Sequence, residues 1–115
     1  MQDTESLNKS SLEAIRALNS EGLKRFTHTI SIIYGLSSEK EKELEATISC
    51  ESNWQVSAYN KFGNSYGVAQ FQPATFKENC EGTYENPFDQ LSCAVQMFKR
   101  NMENRWDCWN NIFGK

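Results

Sequence analysis

Glu51 is the residue whose position asks for chemistry. Residues at i, i+4 and i+7 share one face of a helix, and Leu44, Ile48 and Glu51 stand at that spacing. The carboxylate therefore lies along an apolar stripe. Poor hydration there disfavours the charged form and raises the pKa, so the proton is kept closer to neutrality. A proton available at working pH is what a general acid needs, as in enzymes that protonate a glycosidic oxygen with a carboxyl group titrating near ~6. The competing reading is that Glu51 ends its helix and points back into water.

The neighbours decide between the two. Glu51-Ser52-Asn53-Trp54 is followed by Ala58, Asn60 and Gly63, then by Ser65-Tyr66-Gly67-Val68-Ala69-Gln70-Phe71-Gln72-Pro73, with Thr75 just beyond. Further on, Asn86-Pro87 opens another helix, and the chain closes on a Trp-rich segment. This arrangement resembles the lysozyme-like domain of soluble lytic transglycosylases, which is related to goose-type lysozyme. In that family a Glu-Ser pair ends a helix, a loop rich in Asn, Ser and Gly follows, and Gly-x-x-Gln and a Pro come next. The resemblance covers roughly residues 43–109.

The resemblance implies a role for each matched residue. Glu51 is expected to be the single catalytic acid/base, and Ser52 to cap or tether the helix end beside it. Ser65 and Gln70 are expected to line a saccharide cleft, and Gly67 to let backbone approach the sugar. Asn60, Trp54, Tyr66 and Trp106 complete the substrate-binding candidates. Trp54, Tyr59, Tyr66 and Phe71 offer aromatic faces for pyranose rings, although buried aromatics usually belong to a core; Tyr66 is preferred because it sits inside the motif. One departure matters. Many members end with an Ala-Tyr-Asn motif whose Tyr contacts the catalytic Glu, and this chain has none after Gln70. Tyr66 or Trp106 is expected in its place.

Glycoside hydrolases usually place two carboxylates about 5–5.5 Å or 6.5–9.5 Å apart. Nothing from Ser52 to Lys77 is acidic, and Glu78, Glu81, Glu85 and Asp89 fall near loops or helix starts. With no evident base to activate water, the resemblance implies a transglycosylase acting on the bond between N-acetylmuramic acid and N-acetylglucosamine in peptidoglycan, leaving 1,6-anhydro ends. The alternatives are a hydrolase of the same fold, a peptidoglycan- or chitin-binding module without chemistry, and a purely structural helical protein.

These residues need elements to hold them. The pattern predicts a mainly α fold: a compact lysozyme-like helical domain with a short irregular loop or hairpin lining the cleft. Ser10-x-x-Glu13 reads as a capping box, followed by Leu12, Ile15 and Leu18, with Gly22 as the stop. A second helix is predicted over 23–34, its stripe being Leu23, Phe26, Ile30, Ile33 and Tyr34, and Gly35 ending it. Ser38-x-x-Glu41 reads as a capping box for a third helix over about 39–52. Periodicity then fades until short helices near 67–71 and 73–79. Asn86-Pro87 supplies an N-cap and a first-turn proline for a last long helix to about Asn104, with Leu91, Val95, Phe98 and Met102 inward. All of 1–115 forms one domain, with 1–35 as a helical extension packed on a 36–115 catalytic core.

Composition bounds the rest. At 115 residues, 38% hydrophobic and 23% charged, the chain is expected to be one globular, monomeric unit with no membrane span. A net charge of -3 with no basic half or stripe excludes nucleic acid as the natural partner. The four cysteines are Cys50, Cys80, Cys93 and Cys108; none forms CxxC, and His28 is the lone histidine, so no metal or other cofactor is expected. An even, dispersed set fits two disulfides and an extracytoplasmic, secreted or periplasmic location. No leader is visible in the polar start Met1-Gln2-Asp3-Thr4-Glu5, so any signal peptide is expected to be absent from this chain. Four cysteines permit three pairings. The resemblance selects Cys50 with Cys108, because relatives of this compact type join a Cys just before the Glu to one in a C-terminal Trp-x-Cys segment; Cys80 and Cys93 are then left to each other.

Overall fold

Asn19 starts the first element of the structure, a computed structural model that describes residues 19–114. The helix expected from Ser10 lies outside the described residues up to Leu18. The Asn19 side chain accepts from the Gly22 N–H at 2.8 Å and caps helix α1 (Ser20–Tyr34). Gly22 is therefore in the first turn of a helix, not at the end of one. Gly35 does end α1, in the left-handed region at φ 71°, where a residue without Cβ is unstrained. The buried face also differs from the expected stripe. Leu23, Thr27 and Ser31 are fully buried, while Ile33 and Tyr34 face outward. The two hydroxyls donate to the Leu23 and Thr27 carbonyls four residues back, so small polar side chains fit against the core without an unpaired group.

Helix α2 (Ser38–Ser52) is capped by Ser37, one residue before the predicted cap; its side chain accepts from the Lys40 N–H. Leu44, Thr47 and Ile48 are buried along it. Beyond α2, a hairpin of two short antiparallel strands, β1 (Tyr59–Asn60) and β2 (Ser65–Tyr66), occupies the segment where periodicity fades. Residues 67–70 form a tight turn rather than a helix, closed by an antiparallel bridge between Tyr66 and Phe71. Helix α3 (Pro73–Asn79) follows, with Pro in its first turn.

Helix α4 (Pro87–Lys99) is the central element. Asn86 caps it by accepting from the Phe88 and Asp89 N–H groups. It ends five residues before the predicted Asn104. Asn101 turns left-handed at φ 62°, the Met102 N–H closes back on the Met97 carbonyl at 2.9 Å, and Lys40 of α2 donates to the Phe98 carbonyl. Those partners satisfy carbonyls that a continuing helix would have used. A 3-10 turn (Glu103–Arg105) and helix α5 (Asp107–Phe113) complete the described chain.

The described chain is mainly helical, a compact globule with one small hairpin. Leu23 of α1, Leu44 and Ile48 of α2, and Leu91, Val95, Met97 and Phe98 of α4 are completely buried together. Phe26 and Phe88 join α1 to α4 edge to face at 4.9 Å. Two disulfides form, Cys50–Cys108 and Cys80–Cys93, and no free cysteine remains. They fit an oxidising compartment. Among the described residues no helix is long and apolar enough to cross a membrane.

Candidate active site

The site is built where α2 stops. Asn53 and Trp54 both adopt left-handed backbone, φ 51° and 63°, which throws the chain sideways off the helix. Ser52 ties that break to the motif beyond it: its buried hydroxyl donates to the Val68 carbonyl at 2.6 Å and accepts from the Trp54 N–H. Glu51 is thereby left on the last turn of α2, half-buried. The disulfide from Cys50 draws α5 alongside, and the Cys108 N–H donates to Glu51 Oε2 at 3.1 Å. Among the described residues no other donor bonds this carboxylate.

Burial pushes the Glu51 carboxyl above its ordinary range; the Cys108 N–H pulls it back in part, and the negative charge of Asp107 raises it further. The site thus keeps a proton on Glu51 to higher pH than an exposed glutamate would.

The motif Gly67–Gln70 is held from behind by one buried side chain. Gln90 of α4 is fully buried. Its Oε1 accepts from the Ala69 N–H at 3.0 Å, and its Nε2 donates to the Tyr66 and Tyr84 carbonyls. A Cβ on Gly67, which sits at φ 93°, would come within 2.3 Å of Gln90 Nε2. Gly67 therefore clears the way for Gln90. Gln70, also left-handed at φ 52°, turns its amide inward to the Ala58 and Gly67 carbonyls at 2.8 and 2.9 Å. It fixes the hairpin against the turn while forming part of the cleft.

A cavity of about 240 Å³ opens beside Glu51. Asn60, Ser65, Gln70, Trp106 and Asp107 line it with the carboxylate. Trp106 is its aromatic wall: nearly buried, with its indole N–H on the Ala69 carbonyl at 2.8 Å and its ring against Phe71 and Phe98. Of the two aromatics proposed to replace the missing tyrosine, Trp106 lines the cavity and Tyr66 does not; Tyr66 lies against Tyr84, with ring centroids 6.0 Å apart. Trp54 is likewise elsewhere. It is buried, donates to the Ser49 hydroxyl and lies beneath the Lys24 ammonium, because the left-handed turn after Ser52 folds it back onto α2.

Two lining residues, Arg105 and Asp107, lie outside the quoted motif and outside the expected site. Asp107 matters more, since it places a second carboxylate in a cleft where the segment 52–77 offers none. Its signal in the sequence is position, one residue before the half-cystine that bonds to the neighbour of Glu51. Among the described residues no cluster of His, Cys, Asp or Glu is fit to hold a metal ion. Comparison with known proteins finds no match, whether to a family model, to a curated protein or to a solved structure.

Proposed function

We propose that the chain is a lytic transglycosylase that cleaves peptidoglycan between N-acetylmuramic acid and N-acetylglucosamine, with Glu51 as its acid and base. The observation that carries this reading is a single half-buried carboxyl group, shifted towards its protonated form, at the wall of a cleft lined with amides and hydroxyls. Such a lining suits sugar hydroxyl and acetamido groups, which both donate and accept. The resemblance of 43–109 to the lytic transglycosylase domain supplies the substrate. The two disulfides are in keeping with work outside the cytoplasm.

The proton inventory closes on one residue. With Oε2 accepting from the Cys108 N–H, the carboxyl proton resides on the other oxygen and passes to the glycosidic oxygen as the C1–O bond breaks. The leaving N-acetylglucosamine departs with a hydroxyl. The Cys108 N–H then stabilises the carboxylate that remains. That carboxylate takes the proton of the muramyl C6 hydroxyl as its oxygen bonds to C1, which closes the 1,6-anhydro ring and restores Glu51 for the next turnover. No water is consumed.

Asp107 favours a second reading. A carboxylate on the same cavity can activate a water, which would make the enzyme a hydrolase of the same bond. Digestion in 18O-labelled water separates the two. Transglycosylation gives anhydro ends lighter by one water than hydrolysis products and free of label. Labelled reducing ends would instead establish the hydrolase, and no products from purified peptidoglycan would remove both readings.

A further inference from the structure

Asn60, Gln70 and Glu51 line a second, shallower groove as well as the cavity. Its outer wall is Tyr59, Lys61 and Phe62. The fold leaves two aromatic rings of this wall in solvent: Tyr59 is 61% exposed and Phe62 93%. Neither rides on slack backbone. Strand β1 pairs with β2, the Phe62 N–H donates to Asn60 Oδ1 at 3.1 Å, and Gln72 Nε2 donates to the Gly63 carbonyl at 2.8 Å. A hairpin fixed this firmly, holding bare rings towards water at the mouth of a polar cleft, presents a stacking surface. The apolar C–H face of a pyranose matches it. Lys61 adds a cation, its Nζ 5.4 Å from the Phe62 ring centroid. Among the described residues Lys61 has no carboxylate partner.

We propose that the Tyr59–Phe62 rim is a subsite for an acidic sugar, the rings stacking on its pyranose face and Lys61 pairing with a carboxylate that the sugar carries. The subsite rests on the glycan-cleaving reading of Glu51 and deepens it, because it separates strands with acidic side groups from neutral strands of the same backbone. In peptidoglycan that carboxylate has two alternative sources: the lactyl group of muramic acid where no stem peptide is attached, and the stem peptide's own carboxylates where the lactyl carboxyl is bound to it as an amide.

Binding measured on the Glu51→Gln chain tests the subsite without turnover. The probes are peptidoglycan strands with stem peptides, strands stripped of peptide by an amidase, and neutral N-acetylglucosamine oligomers. Phe62→Ala should weaken all three by about three- to tenfold. Lys61→Met should weaken the acidic probes by about two- to fivefold, an effect that fades at high salt, and leave the neutral oligomer unchanged. A loss on stripped strands alone assigns the pairing to the lactyl carboxylate, which the amidase sets free; a loss on intact strands alone assigns it to the stem peptide's carboxylates, and losses on both show that Lys61 accepts either. Unchanged affinity in Phe62→Ala, or equal losses on acidic and neutral probes in Lys61→Met, would overturn the subsite and leave the reaction standing. A Glu51→Gln chain that binds none of the three would overturn both. Both positions are exposed, so the fold survives either change.

Discussion

Glu51 carries two opposed consequences. Its carboxyl is raised above the ordinary 4.5 by burial and by Asp107, so the folded state favours the protonated form. The stability this confers is complete below the unfolded value and is lost as pH rises through the folded one. Glu51→Gln should therefore lose activity by about 10²–10⁴-fold while melting at the same temperature or higher, with the gain largest above the folded pKa; turnover assays and thermal melts across pH check both. Removing the Asp107 charge should act on the pH profile. Because Asp107 raises the Glu51 pKa, Asp107→Asn should move the alkaline limb of activity to lower pH, and Asp107→Glu should hold it in place. An unmoved limb in Asp107→Asn would mean that the two carboxylates do not sense each other. The half-burial of Glu51 is legible in the sequence from two nearby clues, the helical face shared with Leu44 and Ile48, which alone leaves a helix end in water open, and the motif that follows. Asp107 is not, since it reaches the cleft only through the disulfide that joins its neighbour Cys108 to Cys50.

The Gly67–Gln70 turn depends on one side chain of α4. Gln90 satisfies the Ala69 N–H and two carbonyls at a fully buried position. Gln90→Leu keeps the volume but leaves those backbone groups unpaired, at about 1–3 kcal/mol each. Gly67→Ala meets Gln90 directly and forces a Cβ at φ 93°, a strain of about 1–3 kcal/mol before the clash is counted. Denaturant unfolding should show both losses, and Asn64→Gly, at a left-handed position on the exposed hairpin, should show almost none. The helices α2 and α3 and the start of α4 are legible to within a residue because caps and prolines mark them. The end of α4 is not, because Met102 continues the apolar spacing while Asn101 and the Lys40 ammonium from α2 end the helix from outside. The 67–71 helix fails for a related reason: its residues close a single turn, Gln70 onto the Gly67 carbonyl, and are held there by a glutamine about twenty positions on, with no helical ladder of their own.

Across the molecule, the two disulfides divide their labour. Cys80–Cys93 closes a short loop, with a separation of 13 residues, and Cys50–Cys108 a long one of 58. Loop closure alone assigns them about 3 and about 4 kcal/mol. Replacing Cys80 and Cys93 by Ser should lower the melting temperature and leave the pH profile of activity intact. Replacing Cys50 and Cys108 should lower the melting temperature and also shift the pH profile, since that bond holds the Cys108 N–H beside Glu51; parallel melts and peptidoglycan-clearing assays distinguish the pairs. That long bond also has a consequence in time. A ribosome releases Glu51 well before Cys108, and a reducing environment keeps the two segments unlinked even after both are made. Until that bond closes, no covalent link holds the Cys108 N–H beside the Glu51 carboxylate. On the proposed reading of Glu51, competence follows oxidation: the reduced chain should clear peptidoglycan more slowly than the chain with Cys50 and Cys108 joined.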